Sequence, residues 1–185
     1  MPLFVKATIF IIASSYLAWL SRRSLRNMRS HGFYRFFAWE AILAVVLLNL
    51  DPWFDDWHGF RQIVSWTLLT ASACLITGGV ITLYRTGKPG GHRPDGTLIG
   101  IEKTTKLVST GIYRFIRHPI YGSAVVGVWG VVLKDISGTS MSLALISVIL
   151  LTVTAKLEEA ENVEFFGDEY RRYMKKTRMF IPFLF

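Results

Sequence analysis

The feature that most constrains this chain is a series of apolar runs, each long enough to form a buried or lipid-facing helix. A membrane-spanning helix needs about 20 mostly apolar residues. Lipid offers the backbone no hydrogen-bond partners, so such runs must be helical. The sequence therefore predicts an all-α integral membrane protein with about five transmembrane helices. Their approximate ranges are 3–20, 36–50, 63–84, 119–133 and 141–157.

Two polar stretches divide the chain. Residues 85–100 contain five glycines and two prolines, which predicts a loop that is either a plain connector or a lid over a site. Residues 158–176 are rich in charge, which predicts a C-terminal cytosolic helix after the last span. We expect a three-helix membrane part at 1–84 and a part at 85–185 with the loop, a helical hairpin and that helix, all in one structural domain.

The distribution of positive charge predicts the orientation in the membrane. The net charge is +8, and 18 of the 21 Lys and Arg residues fall in three segments. With five successive spans, all three segments lie on the same side of the membrane. Because cytoplasmic segments are enriched in Lys and Arg, we expect a cytoplasmic C-terminus and an N-terminus outside. Lys134, in the short link between the last two runs, is expected to snorkel to the surface. The charge is that of a membrane-facing protein, and we expect no nucleic-acid interface.

Polar residues cluster where the last two apolar runs meet the predicted cytoplasmic side. Arg117-His118 opens the fourth run, and Glu158-Glu159 ends the fifth. The link between these runs is short, so we expect an antiparallel hairpin whose two ends lie side by side. Taken singly, the arginine is also explained as an interfacial anchor, and the glutamates as solvated charges on an emerging helix. Together they predict a small cavity, since charges at this depth are costly unless functional.

The two segments have an extended pattern. The first reads Gly-Ile-Tyr-Arg-x-x-Arg-His-Pro-x-Tyr from Gly111, and the second reads Glu-Glu-x6-Phe-Gly-x-x-Tyr-x-x-Tyr from Glu158. This pair resembles the isoprenylcysteine carboxyl methyltransferase family, which belongs with the membrane-embedded phospholipid methyltransferases. The resemblance covers about residues 98–185. It implies a methyltransferase that uses S-adenosyl-L-methionine and acts at the membrane on a lipid-like or otherwise apolar small-molecule acceptor.

The resemblance also implies which residues form the site. Arg117 of the first motif is a candidate catalytic cation, and Arg85 is a second candidate from its position at the predicted cytoplasmic end of the third run and not from the motif. No metal site is expected, since the histidines at 31, 58, 92 and 118 are scattered. The candidate cofactor contacts, some of them through the main chain, are Thr105, Lys106, Leu107, Val108, Tyr113, His118, Pro119, Ile120, Tyr121, Glu158 and Glu159.

One departure from the family concerns the acceptor. Isoprenylcysteine methyltransferases have an arginine four residues before the glutamate, near the substrate carboxylate, and here that residue is Thr154. Lys156 is the nearest cation, and Arg85 is a candidate replacement. Carboxylate, amine and thiol acceptors therefore all stay open. Two other classes are also open: an NADPH-dependent reductase similar to sterol reductases, and a non-enzymatic membrane scaffold with the same fold.

Overall fold

The computed structural model describes residues 1–56, 58–87 and 104–181. Its described part is helical, with two short 3₁₀ turns at Ser24–Arg26 and Gly111–Arg114. The glycine-rich segment predicted to be a loop lies mostly outside the described residues. The all-α prediction is confirmed. The helices are α1 (Leu3–Ser21), α2 (His31–Leu48), α3 (Phe60–Gly87), α4 (Pro119–Val132), α5 (Gly138–Phe166) and α6 (Asp168–Lys176).

The apolar helices make the chain a multi-pass membrane protein. Four of them, α1, α2, α3 and α5, are long and apolar enough to span a bilayer. The fourth apolar run forms a helix of 14 residues. Such a helix is about 21 Å long, shorter than the roughly 30 Å hydrocarbon core. The described part of the chain thus has four full-length candidate spans and one shorter apolar helix where the sequence predicted about five spans.

Two helix boundaries differ from the prediction, and both differences matter for the site. α2 begins at His31, so it includes Arg35 and the four residues before it, which precede the apolar run predicted at 36–50. α5 continues to Phe166, so Glu158 and Glu159 lie within it and not on a separate helix. The break comes at Gly167, whose φ of +61° is a conformation that favours glycine. The C-terminal helix is therefore only the nine residues of α6.

The bundle packs as two helix pairs. α5 lies mainly along α2, and α4 lies mainly along α3. Small residues let the helices approach closely: Ala38 and Ala155 are fully buried in the cluster that includes Tyr121. α4 and α5 contact each other, as the predicted hairpin requires. The contact of α4 with α3 and that of α5 with α2 are more extensive. α1 is peripheral, packs on α2, and is buried only at Ser21.

The expectation that Lys134 reaches the surface is wrong. The side chain is 0% exposed. Its Nζ donates a hydrogen bond to Gln62 Oε1 at 2.8 Å and lies 3.8 Å from the centre of the Trp66 ring. Gln62 in turn donates to the carbonyls of Pro52 and Asp55. The lysine therefore ties the end of α4 to the turn before α3, because these groups offer it an acceptor and an aromatic face.

Candidate functional site

The start of α4 is fixed by main-chain pairing with the segment that follows α6. The N–H of Arg117 donates to the carbonyl of Arg178 at 2.8 Å, and the N–H of His118 donates to that of Met179 at 3.1 Å. Pro119 occupies the first residue of α4, where its missing N–H breaks no helical hydrogen bond. These contacts fix the backbone from which the Arg117 and His118 side chains extend.

Two carboxylates of α5 meet this helix start. Arg117 Nε donates to Glu159 Oε1 at 2.6 Å, and His118 Nε2 lies 3.3 Å from the same oxygen. His118 Nδ1 lies 3.9 Å from Glu158 Oε2. The Tyr121 hydroxyl donates to that Glu158 oxygen at 2.7 Å. The two motif segments therefore meet in space, as the hairpin argument predicts.

Arg117 joins three elements through one side chain. Besides its contact with Glu159, its terminal nitrogen donates to the carbonyls of Met174 and Thr177, at the end of α6. A buried ion pair is stable only when its remaining donors and acceptors are also satisfied. These carbonyls supply acceptors for the guanidinium. The arrangement ties α6 to the ends of α4 and α5.

Aromatic side chains form a second wall of the site. Gly167 turns the chain so that Tyr170 and Tyr173 of α6 face back toward Tyr113. The Tyr173 hydroxyl donates to the carbonyl of Tyr113 at 2.7 Å. The Phe166 and Tyr170 rings are stacked with centroids 6.4 Å apart. The result is a set of ring faces on the same side as Glu158.

The phenols of this wall stay protonated at neutral pH. Burial raises the pKa of Tyr113 and of Tyr170, and the negative charge of Glu158 raises both further. Burial also raises the pKa of Tyr173, with the nearby Arg117 charge partly opposing it. These three side chains therefore present neutral rings and are poor candidates for a general base.

The two walls enclose a cavity of about 250 Å³. One side is polar and carries Arg117, His118 and Glu158, while Trp39 and Leu83 contribute apolar surface. A mostly apolar pocket with a few convergent polar groups is typical of small-molecule sites. Its lining residues are Arg35, Trp39, Leu83, Thr104, Leu107, Val108, Tyr113, Arg117, His118, Pro119, Ile120, Tyr121, Glu158, Asn162, Phe166, Tyr170 and Tyr173.

Most residues chosen from the sequence line this cavity. Glu159 lies behind the lining and contacts it through Arg117 and His118. Thr105, Lys106 and Arg85 are exposed and lie outside the lining. The sequence-predicted residues in the lining are Leu107, Val108, Tyr113, Arg117, His118, Pro119, Ile120, Tyr121 and Glu158.

Sequence reasoning missed the contribution of α2 and α3. Arg35 and Trp39, one helical turn apart on α2, both line the cavity, as does Leu83 of α3. The second apolar run is predicted at 36–50, so Arg35 falls just outside it. The i, i+4 spacing of Arg35 and Trp39 was the available signal, since it places both on one helix face. Thr104 and Asn162 were also missed.

The phospholipid methyltransferase family model matches residues 64–169, more than half of the chain. That range includes α4, α5, nearly all of α3, and both motif segments except the last residues of the second. No solved structure shows a significant match.

Named relatives cover different shares of the chain. Methanethiol S-methyltransferase 1 of Bradyrhizobium diazoefficiens is 34% identical over 80% of this chain and 49% of its own length. A probable protein-S-isoprenylcysteine O-methyltransferase of Oryza sativa subsp. indica is 30% identical over 97% of this chain and 82% of its own. The protein-S-isoprenylcysteine O-methyltransferase of Schizosaccharomyces pombe is 37% identical over 42% of this chain and 34% of its own.

The chain matches half or less of the first and third of these relatives and most of the rice protein. The resemblance drawn from the motifs is confirmed, since both the family match and the relatives lead to the same group. On the family match over more than half of its length, this chain is a member of the phospholipid methyltransferase family.

Proposed function

We propose that this chain is a membrane-embedded methyltransferase that uses S-adenosyl-L-methionine and acts on a lipid-like or otherwise apolar acceptor. The observation that carries the proposal is the cavity where Arg117-His118 of the α4 start meets Glu158 of α5. The relatives named above share methyl transfer as the reaction and differ in the acceptor. In this family member the motif residues line a cavity, and the reaction that the relatives share is the best explanation of that cavity.

The residues present suit S-adenosylmethionine, whose groups are a sulfonium cation, an adenine, ribose hydroxyls and an amino-acid end. The half-buried Glu158 carboxylate is an acceptor for hydroxyl or ammonium donors. The neutral rings of Tyr113 and Tyr170 offer faces that attract a cation. His118 adds an imidazole that can donate or accept. When bound there, the cofactor would supply the methyl group for an in-line displacement.

The chain's own contribution is placement and the exclusion of water. Arg117 and Glu159 hold the α4 start, α5 and α6 together, so in this proposal they position the groups that contact ligand. Trp39 and Leu83 keep one side of the cavity apolar. Holding two reactants in line lowers the barrier, and a dry cavity strengthens the electrostatic interactions inside it. Thr105 and Lys106 remain proposed main-chain contacts.

The proposal includes a location for the site. The N-terminus lies outside, and the C-terminus and cavity lie on the cytoplasmic side, with membrane lipids around the apolar helices. The support is the concentration of Lys and Arg in the segments flanking α1, α3 and α5 on one side. The most exposed helix, α1, presents apolar residues such as Ile11 and Ile12 to its surroundings, as a lipid-facing helix does.

The experiment that tests the function is methyl transfer from labelled S-adenosylmethionine. The full chain is expressed in membranes, incubated with labelled donor and a lipid extract, and the labelled product is identified. We expect label in an apolar product. Glu158→Gln is expected to lower the rate about 100-fold or more, since small misplacements of a bound reactant have effects of this size. Glu164→Gln, an exposed carboxylate of the same helix, is the matched control.

The alternatives predict different results. A reductase of the sterol-reductase type would be stabilised by NADPH and not by S-adenosylmethionine. A scaffold would bind neither and would tolerate Glu158→Gln without consequence. Absence of both binding and transfer in folded protein would overturn the proposal.

A further inference from the structure

We propose that the C-terminal end of α6 binds the headgroups of anionic phospholipids at the membrane surface. The residues concerned, here called the basic surface, are the exposed cations Arg172, Lys175, Lys176 and Arg178. This lipid contact is independent of methyl transfer, so its test gives a result whether or not the proposed function holds.

The path of the chain brings this end of α6 beside the start of α4. Glu159 is level with the α4 start, because Arg117 Nε donates to its Oε1 at 2.6 Å. α5 continues beyond Glu159 for seven residues, a distance of about 10 Å at roughly 1.5 Å per residue. After the turn at Gly167 the chain must return, since the carbonyl of Thr177 accepts a hydrogen bond from Arg117. α6 therefore runs back toward the apolar part of the bundle, with its basic end nearest to it.

Along α6 and the residues after it, the side chains change in the same order as the layers of a membrane surface. Asp168 and Glu169 begin α6 and are exposed. The cations of the basic surface follow. After them the chain becomes apolar: Met179 and Phe180 are buried, and Ile181 is 43% exposed. This order of acidic, basic and apolar side chains matches water, the headgroup layer and hydrocarbon.

The residues after α6 extend along the first turn of α4. The carbonyl of Met179 accepts a hydrogen bond from the His118 N–H at 3.1 Å. Gly122 lies one turn further into α4, and a Cβ atom there would be 3.0 Å from the carbonyl oxygen of Phe180. Because α4 is an apolar helix that enters the bilayer from its first turn, this pairing places Arg178 at the level of the headgroups.

Apolar side chains border the basic surface on its membrane side. The Arg178 N–H donates to the carbonyl of Phe115 at 3.0 Å, so these two residues are neighbours. Phe115 is 49% exposed, and Ile181 follows three residues after Arg178. Aromatic and aliphatic side chains beside Lys and Arg are typical of segments that lie in the membrane interface. The surface thus offers charge to a phosphate and apolar contact to the acyl chains below it.

α6 has one buried and one charged face. Tyr170 and Tyr173 are buried on the side of the cavity. On the exposed side, Arg171 is paired with Asp168 at 2.8 Å. In the part of the chain that the structure describes, the side chains of the basic surface have no such carboxylate partner. Four neighbouring cations repel one another, and an anionic headgroup between them offsets that repulsion.

These features favour a phospholipid over an acidic protein as the partner. A water-soluble acidic protein can neutralise the cations, but it does not reach Ile181 at the level of hydrocarbon. A phospholipid carries its phosphate and its acyl chains in one molecule. The guanidinium of Arg178 and the ammonium groups of Lys175 and Lys176 suit phosphate oxygens.

The first arm of the test measures lipid binding by the full chain in a neutral detergent. Dihexanoyl phosphatidylglycerol is the anionic probe, dihexanoyl phosphatidylcholine is the zwitterionic control, and inorganic phosphate is the soluble control. Each is titrated by calorimetry, and the heat of mixing with protein-free micelles is subtracted. We expect the anionic lipid to bind about ten-fold more tightly than the zwitterionic one, or better. High salt should reduce this preference, because exposed charges are screened.

Variants locate the binding. Replacing all four cations of the basic surface by glutamine should remove the preference. Lys176→Gln alone should weaken binding of the anionic lipid about two- to five-fold, the attraction of one cation near an anionic surface. The substituted side chains are exposed, so wild-type unfolding temperatures are expected and are checked in the same detergent. The matched control replaces four exposed arginines of the linker after α1 by glutamine and should keep the preference; they are Arg22, Arg23, Arg26 and Arg29.

Three outcomes of this arm would overturn the proposal. The first is equal affinity of the wild type for the two lipids, which would leave the cations to water or to an acidic protein. The second is binding of inorganic phosphate as tight as that of the anionic lipid. The third is an equal loss of preference in the α6 and linker variants, which would show a general attraction by positive charge.

The second arm measures depth in nanodiscs of phosphatidylglycerol and phosphatidylcholine in equal parts. Spin labels are attached at Glu169→Cys, Lys176→Cys or Ile181→Cys, each in a Cys74→Ala background because Cys74 is exposed. We expect a water-soluble nickel chelate to reach the label at 169 most readily and the label at 181 least. Molecular oxygen, which concentrates in hydrocarbon, should show the reverse order. Equal access of the chelate to the labels at 169 and 176 would contradict a headgroup position for the basic surface.

Discussion

Charged groups are buried at both ends of this helical bundle, but with different surroundings. At the α4 start, Arg117 and Glu158 line a cavity of about 250 Å³. At the α4 end, Lys134 is fully enclosed by Gln62, Trp53 and Trp66. Both ends would stand out in a search for polar residues among apolar ones. Only the first also combines carboxylates, imidazole and aromatic faces around a space that a ligand can occupy.

The comparison teaches that a buried charge in a membrane protein indicates a site only when the space beside it is left for a ligand. Lys134 has its acceptor and its aromatic faces within the protein, so its role is to hold the turn before α3 against α4. Arg117 also holds elements of the fold together, but the helices that it joins are the ones that line the cavity. Variants at the two ends should therefore separate stability from ligand binding.

The largest effect on stability is expected from Arg117→Met. The change leaves Glu159 buried without its guanidinium, and removing one partner of a buried ion pair costs about 3–5 kcal/mol. Ligand binding should fall with stability, because α4, α5 and α6 are no longer held together. Thermal unfolding in detergent measures the change, with the exposed Arg114→Met as control. Wild-type stability in Arg117→Met would show that this pair does not hold the site.

Lys134→Met is expected to lower stability by a smaller amount and to leave binding intact. Gln62 Oε1 loses its donor while buried, which costs about 1–3 kcal/mol. Adenosylhomocysteine affinity of the folded protein should equal that of the wild type, since Lys134 lies at the other end of α4. Exposed Asp135→Asn is the control. A large loss of affinity in folded Lys134→Met would break the distinction between the two ends.

Alkaline pH tests the aromatic wall. The pKa values of Tyr113, Tyr170 and Tyr173 are raised in the folded protein, so above about pH 10 the unfolded chain ionises these phenols while the folded one does not. Stability is unaffected below that pH and falls above it, by about 1.4 kcal/mol per pH unit for each phenol. Unfolding curves against pH measure the slope, and Tyr173→Phe should reduce it by that amount. A slope unchanged by the substitution would contradict the buried, neutral wall.

At neutral pH, Tyr173→Phe is expected to have the smallest effect of the series. It removes the hydrogen bond to the Tyr113 carbonyl, a loss of about 0.5–1.5 kcal/mol. Tyr84→Phe, an exposed tyrosine of α3, is the control for the substitution itself. Equal unfolding temperatures for the two variants would show that this bond does not contribute.

The sequence predicts the helices well because their apolar runs are long, and it predicts the meeting of Arg117-His118 with Glu158-Glu159 because a short link joins α4 to α5. It does less well where packing decides the outcome. Arg35 lies just before the apolar run predicted at 36–50, and only the packing of α2 on α5 brings it to the cavity. Lys134 is buried because distant residues supply its partners, which no local pattern of the sequence indicates.

The most direct test of the central claim is calorimetric titration of adenosylhomocysteine into three purified proteins: wild type, Glu158→Gln and Lys134→Met. The account predicts equal affinities for wild type and Lys134→Met, and an affinity about ten- to hundred-fold weaker for Glu158→Gln, the cost of losing a charged hydrogen bond. Equal binding by all three folded proteins, or no binding by the wild type, would contradict the placement of the cofactor in the cavity at the start of α4.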